Sequence, residues 1–228
     1  MMFIGLDDTD TLESRGTGHL ARQIAAALLD DHPVLGVTRH QLLMDPRVPY
    51  TRKNSSAAVV LDVDGDVDPA ALMERVRTLM LANYEPGSDP GLCVAREVPV
   101  EVVAFGHRAQ RRLVTQREAR DLAAAHGILL EGLGGDQDGV IGSLAAVGLA
   151  ASGEDGRYVL VGRSRELSGL QSVSAVLAAG VAAVRTCEGD PVTEGLVCAD
   201  KLRPARREGR PIAFVEWAGD YWQPLKLD

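Results

Sequence analysis

Residues 3–10 read Phe3-Ile4-Gly5-Leu6-Asp7-Asp8-Thr9-Asp10. A short apolar run bounded by charge is the pattern of a buried strand, and it halts at three aspartates within four residues. A polar, glycine-bearing loop follows over Thr11–Gly18. A helix is expected from about His19 to Asp30, where Leu20, Ile24 and Leu28 recur at fourfold spacing. Strand, loop and helix in that order form the basic α/β unit, and in such sheets ligands bind where strands end. Three neighbouring carboxylates repel one another, and a fold tolerates them when a cation or a set of amide donors sits between them. Asp7, Asp8 and Asp10 are therefore candidate catalytic residues and ligands for Mg²⁺. The competing reading is a plain turn, because aspartate also suits turns and helix caps.

Working outward, strands are expected at Val34–Leu43, Ala57–Val63, Cys93–Ala104, Arg157–Gly162, Val181–Thr186 and Pro211–Trp217. Asp68-Pro69 reads as a cap followed by proline in the first turn, opening a helix to about Asn83. Thr115-Gln116-Arg117-Glu118 is a capping box whose helix stops at Gly127. Further helices are expected at Val140–Ala151 and Ser172–Ala179. This alternation predicts an α/β or interleaved α+β fold, with mixed sheets and helices packed on them.

Composition narrows the class. Apolar residues make up 46% of the 228, enough for a substantial core, while aromatics are only 4%, so Ala, Val and Leu must fill it. A formal net charge of -8 disfavours whole-surface affinity for nucleic acid or anionic membrane. Two basic runs, Arg108–Arg112 and Lys201–Arg210, are read as solvated faces, with a local basic groove as the alternative. Three unpaired cysteines, Cys93, Cys187 and Cys198, suit a reducing compartment. The start MMFIGLDDTD has no signal-peptide core, and the longest apolar stretches fall short of a membrane span. A cytoplasmic protein without a membrane partner is expected.

Three further segments carry chemistry. In Arg15-Gly16-Thr17-Gly18, Gly16 and Gly18 let the backbone approach a phosphate at a helix start, and Thr17 offers a hydroxyl there. The alternative is an ordinary helix start, with Thr17 as its cap. In Asp45–Ser55, two prolines stiffen a loop bearing Arg47, Arg52 and Lys53, beside Thr51 and Asn54, which is a candidate phosphate clamp or else a charged surface loop. Gly132–Ser143 brings Gly139 and Gly142 to another helix start, a second anion-binding candidate. It is neither a Walker A sequence nor a dinucleotide fingerprint. An acidic metal site, a basic clamp and two glycine-bearing helix starts together point to a nucleotide triphosphate with Mg²⁺. No Ser-His-Asp or Cys-His arrangement stands out; His19 and His40 are the histidines near the candidate site, with a structural role for either left open.

The order of these motifs resembles the archaeal isoleucine-tRNA agmatinylcytidine synthetase family. The resemblance rests on IGLDDTD with its glycine- and threonine-bearing loop, on TRHQLLMDPRVPYTRKNSSAAVVLDV, on Asp89-Pro90-Gly91, on Arg108-Ala109 through His126-Gly127, and on DGVIGSLAAVG at Asp138–Gly148. It extends over about residues 2–165. It implies an ATP-using catalytic region with a ferredoxin-like part, in which a cytidine oxygen is activated by phosphorylation and then displaced by agmatine. By position, Asp7, Asp8 and Asp10 would hold Mg²⁺ and ATP phosphates. Thr17 falls on a threonine associated with phosphoryl transfer, and Thr51, Arg52 and Asn54 fall on a Thr-Arg-Gly-Asn segment. The family's Cys-Thr-Thr-Tyr is Gly16-Thr17-Gly18-His19 here, and its Lys-Thr-Arg-Gly-Asn is Tyr50-Thr51-Arg52-Lys53-Asn54.

The expectation is an ATP- and Mg²⁺-dependent, kinase- or ligase-like enzyme with 1–165 as nucleotide-binding catalytic region and 166–228 as an α+β extension. The family's OB-fold and zinc ribbon have no counterpart in these residues. The expected acceptor is accordingly an unknown small molecule or nucleoside, with tRNA as the less favoured acceptor. A non-catalytic nucleotide-binding regulator and a tRNA-modifying enzyme with a separate RNA-binding subunit remain alternatives. Homo-oligomerisation is left open.

Overall fold

A computed structural model describes residues 1–51, 53–63 and 67–227; Arg52, residues 64–66 and Asp228 lie outside the described residues. The first half runs β1 (Met2–Asp7), α1 (Thr17–Leu28), β2 (Val34–Gln41), β3 (Ser55–Leu61), α2 (Pro69–Leu81) and β4 (Gly91–Ala95). These strands lie in the order β4-β1-β3-β2, every neighbouring pair antiparallel. That is the βαββαβ pattern of a ferredoxin-like unit. Next come α3 (Val100–Arg111), α4 (Gln116–Ala125), β5 (Leu129–Gly132), α5 (Gly139–Ser152) and β6 (Arg157–Leu160). The last part holds β7 (Leu170–Ser172), α6 (Val173–Ala178), β8 (Ala183–Thr186), β9 (Leu196–Cys198), β10 (Ala205–Arg207), β11 (Arg210–Trp217) and β12 (Trp222–Pro224). The sheet path continues from β2 through β6 and β10 to β11, which pairs with β8 in parallel.

Alternation along β1 explains the layering. Met2, Ile4 and Leu6 join Leu20, Ile24 and Leu28 of α1 and Val76 and Met80 of α2 in one core cluster. Phe3 faces the opposite way, into a cluster with Phe105 of α3 and Leu144 of α5. With both faces covered, β1 reads as a continuous apolar run, as a strand buried on both sides should. Gly5 lies under α5. A side chain there would meet the Ser143 carbonyl oxygen at 2.0 Å, so glycine is what lets α5 lie directly on β1.

The sequence reading of Cys93–Ala104 as strand is corrected. The strand ends at Ala95 and α3 begins after Pro99. The valines favour a strand locally, but Val102, Phe105, Gly106 and Ala109 form a helical buried face, and packing on α5 outweighs strand preference. A left-handed Gly153 stops α5, and Arg206, almost fully buried on β10, donates to the Ala150 carbonyl at its end (2.8 Å). A cation at a helix C-terminus is favourable, and here it ties the last strands to α5. A third cluster, with Val173, Val184 and Val215, forms the core of the C-terminal part. Among the described residues, no helix is long and apolar enough to cross a membrane.

Candidate functional site

The site begins where β1 runs out. Asp8 adopts a left-handed backbone (φ 49°), a conformation aspartate tolerates better than most residues. The chain then folds back so that Asp10 meets the start of α1. Asp10 Oδ1 accepts from the Thr17 amide and from the Thr17 hydroxyl, each at 2.9 Å. Asp10 Oδ2 accepts from the Thr51 hydroxyl at 3.2 Å. The Thr9 amide reaches Thr17 Oγ1 at 3.4 Å. Gly16 occupies the cap position without a side chain to cap it, so Asp10 satisfies the first helical amide from seven residues upstream. Thr17 is the first residue of α1 and does not cap it. Its hydroxyl belongs to the site.

Asp7 and Asp8 sit partly buried among other carboxylates. Burial pushes the Asp7 carboxyl up to about 8, and repulsion from Asp8 adds to it. Asp8 is pushed up to about 6 by burial and then by the charges of Asp89, Asp10 and Asp138. Both groups are therefore poised to gain from a cation. Among the described residues, no three acidic, histidine or cysteine side chains converge into a complete metal cage. Asp10 accepts on both oxygens, and the Asp7 carboxyl takes a backbone hydrogen bond from Asp8, so Asp7 and Asp8 are the carboxylates least tied down by side chains. One or two carboxylates with the remaining positions filled by phosphate and water is how Mg²⁺ is held beside a nucleotide, so the donor set fits Mg²⁺ in that role.

Glycine at 142 makes this arrangement possible. A side chain there would approach Asp7 Oδ2 to 1.7 Å, so α5 presses on the carboxylate itself. Gly139 is packed against the Asp89–Gly91 backbone, where a side chain would meet the Asp89 oxygen and the Gly91 nitrogen at 2.4 Å. The first amides of α5 are already used: Gly139 donates to Asp89, Val140 to Gln137 and Ile141 to Asp138. These two glycines thus serve close packing, and the helix start they open offers an anion no free amides at these three positions.

Asp7, Asp8, Asp10, Thr17, Thr51, Asn54 and Gly142 line one cavity of about 350 Å³. Its far wall is apolar, built from Leu42, Leu43, Val48, Leu113 and Ile141. A volume of this size with a polar floor suits a small ligand with an apolar ring. Asn54 donates to the Leu43 carbonyl (2.7 Å) and so holds the loop against this wall. Arg47 also borders the cavity, but its side chain is 70% exposed and is gripped by Asp45 through contacts at 2.8 Å. Those contacts hold the Asp45 carboxyl down to about 2. Gly16 and Gly18 line a second cleft, of about 600 Å³, on the other side of Asp10 and Thr17. Asp10, Thr17, Thr51, Lys53 and Ser55 border both spaces and form the wall between them.

Sequence reasoning missed Asp89 and Asp138 as parts of the acidic surroundings, although both stood inside quoted motifs. It also missed the end of α3 and the segment after it, where Arg112 and Leu113 face the cavity. His19 lies in the second cleft. His40 is structural: it bridges Asp155 (2.8 Å) and Thr38 (2.8 Å), and burial holds it below the usual histidine range. Thr38, His40 and Asp155 have the connectivity of a hydrolase triad, but Thr38 and His40 expose no surface.

Fold and site together describe an α/β protein whose acidic strand end and helix start face a ligand-sized cavity. No protein-family model matches the chain. Among curated proteins it is similar to TiaS, an isoleucine-tRNA 2-agmatinylcytidine synthetase, of Methanopyrus kandleri, 27% identical over 164 residues, covering 68% of this chain and 35% of the relative. TiaS of Cenarchaeum symbiosum is 26% identical over 157 residues, covering 64% and 33%. A solved structure described as a tRNA fluorescent labeling enzyme is 25% identical with a TM-score of 0.56, over 64% of this chain and 35% of that one. The complex of TiaS with its isoleucine tRNA and ATP shares the fold, with a TM-score of 0.56 at 24% identity, over 64% and 36%. The resemblance read from the sequence is thus borne out over about two thirds of the chain. The chain spans about a third of the length of the curated relatives it matches.

Proposed function

We propose that this chain is an ATP- and Mg²⁺-dependent enzyme that activates an acceptor by phosphoryl transfer, with 1–165 as its catalytic region and 166–228 as an extension. The observation that carries the reading is the Thr17 hydroxyl held 2.9 Å from the Asp10 carboxylate, on the wall between two ligand-sized spaces. Asp7 and Asp8 would hold Mg²⁺, while Thr51 orients Asp10 and Asn54 anchors its loop to the apolar wall. When bound, ATP with Mg²⁺ supplies the phosphoryl group and the counter-charge.

The chain's own residues do the rest. A threonine hydroxyl is a weak nucleophile and needs a base within hydrogen-bond reach. Asp10 Oδ1 is that base, and Thr51 on Oδ2 fixes its orientation. Thr17 would either receive the γ-phosphoryl group or position it. In the first case its Oγ–P bond forms as the bond to ADP breaks, and its proton passes to Asp10. In the second the group passes directly to the acceptor, with ADP as leaving group. The apolar wall at Leu42, Leu113 and Ile141 excludes water and seats the base of the nucleotide. The relatives are named for a modified cytidine of an isoleucine tRNA, which brings tRNA in as an acceptor beside the small molecule or nucleoside expected from the sequence.

Incubation with γ-labelled ATP, followed by mass spectrometry of the peptide spanning Arg15–Arg22, tests the covalent form. Steady ATP consumption tests the positioning form. The account predicts label on Thr17 or consumption that Thr17→Asn abolishes. Wild-type ATP consumption by Thr17→Asn, with no label on the peptide, contradicts it.

A further inference from the structure

The second cleft has an unusual charge for a protein that is negative overall. Among the described residues, Arg15, Arg22, Arg39 and Lys53 line it against one lining carboxylate, Asp10, whose oxygens are already held by Thr17 and Thr51. Arg22, half-buried, donates to the Gly18 carbonyl at 2.7 Å and lies beside His19. Arg165 stands at the rim, donating at 3.1 Å to the carbonyl of Val159, itself a lining residue. Among the ion pairs of the described residues, Arg15, Arg22, Arg165 and Arg203 have no carboxylate partner. They also act on one another: burial and the charges of Arg165, Arg203 and Arg15 hold Arg22 below its usual range, and Arg203 is lowered by burial and then by Arg165 and Arg157.

Such a cluster carries a cost that an anion would relieve, as the acidic cavity does for a cation. Guanidinium groups match phosphate oxygens in pairs, with several donors in a fixed fork. The net charge of -8 repels a long polyanion, so the ligand that gains most lies inside the cleft. We infer that this arginine-lined cleft is a binding site for a small phosphate-bearing molecule, separate from the nucleotide cavity and facing Thr17 from the opposite side. Arg203 lies outside the lining and adds only its charge to the field felt by Arg22. On the proposed function, the cleft ligand is the acceptor, and its chemical class is a phosphorylated small molecule. The binding site itself stands without that reading.

Calorimetric titration of the full chain with sodium pyrophosphate tests this, using wild type, Arg165→Ala and Arg22→Ala, with and without a saturating non-hydrolysable ATP analogue and Mg²⁺. The expected result is pyrophosphate binding in both conditions, weakened about tenfold or more in each variant. Arg165 is exposed, so its variant folds even if Arg22→Ala disturbs α1. A short single-stranded RNA, followed by fluorescence anisotropy, should bind more weakly than pyrophosphate. Equal pyrophosphate affinity in all three proteins overturns the inference. So does displacement of pyrophosphate by the analogue, which would make the cleft the seat of the triphosphate, or tight RNA binding that Arg165→Ala abolishes. Pyrophosphate binding by a wild-type chain that ignores the ATP analogue would remove the proposed function and leave this site standing.

Discussion

Thr17 Oγ1 stands 2.9 Å from Asp10 Oδ1, and the same oxygen accepts the Thr17 amide at 2.9 Å. One carboxylate therefore caps α1 and holds the hydroxyl. The first prediction follows. Thr17→Ser keeps hydroxyl and amide and should retain ATP turnover within about tenfold, whereas Thr17→Val should lose roughly 100-fold or more, the scale of a base-assisted hydroxyl. Circular dichroism should find α1 intact in both, because the cap lies on Asp10. Comparable turnover by serine and valine variants would return Thr17 to a packing role.

Asp10→Asn separates the two duties of that carboxylate. The amide side chain still offers an oxygen to the Thr17 amide but no longer takes a proton. Thermal stability should fall by about 1 kcal/mol, the scale of a weakened cap and lost dipole interaction, while ATP turnover falls far more. A variant that is destabilised yet fully active would make Asp10 a cap alone.

Asp7 gives a pH prediction. Its folded-state carboxyl, near 8, lies above the ordinary 3.8, so between these values the native state holds a proton that the unfolded chain has lost. Its stabilising contribution is complete below about pH 4 and is lost as pH rises through 8. Asp7→Asn has no such loss. Without Mg²⁺, the variant should gain about 1–3 kcal/mol on wild type between pH 5 and pH 8. Thermal melts at both pH values check this, and a gain that is the same at each would contradict the assigned burial.

Gly142→Ala places a methyl group where Asp7 Oδ2 now lies. The carboxylate must swing away or α5 must lift off β1. The expected outcome is a loss of Mg²⁺-dependent nucleotide affinity of about tenfold or more, from overpacking and a displaced ligand. Unaltered binding in calorimetry would mean that Asp7 is not used.

Much of this was legible in the sequence because local chemistry and tertiary packing agree. The apolar run before Asp7, the fourfold spacing of Leu20, Ile24 and Leu28, and the capping box at Thr115 all form as read. The acidic cluster and the glycine-flanked Thr17 were visible as pieces. Their joint geometry was not, because Asp10 reaches across a loop whose path depends on a left-handed Asp8. The helix α3 was hidden by valines that favour strands until α5 covers them. The role of Gly139 as close packing depends on contact with Asp89–Gly91, about fifty residues away in sequence, which no local pattern reports. The short C-terminal strands β7, β9, β10 and β12 are three residues each, too brief to show a period.

The most direct test of the central claim is calorimetric titration of a non-hydrolysable ATP analogue into wild type and Asp8→Asn, each with and without Mg²⁺. Asparagine is the chosen replacement because it tolerates the left-handed backbone at this position. It also removes the charge that Asp89, Asp10 and Asp138 oppose, so the ligand-free variant should be at least as stable as wild type. The account predicts tight binding by wild type only when Mg²⁺ is present, and a loss of about tenfold or more in Asp8→Asn. Equal affinity in the two proteins, or wild-type binding indifferent to Mg²⁺, would contradict it.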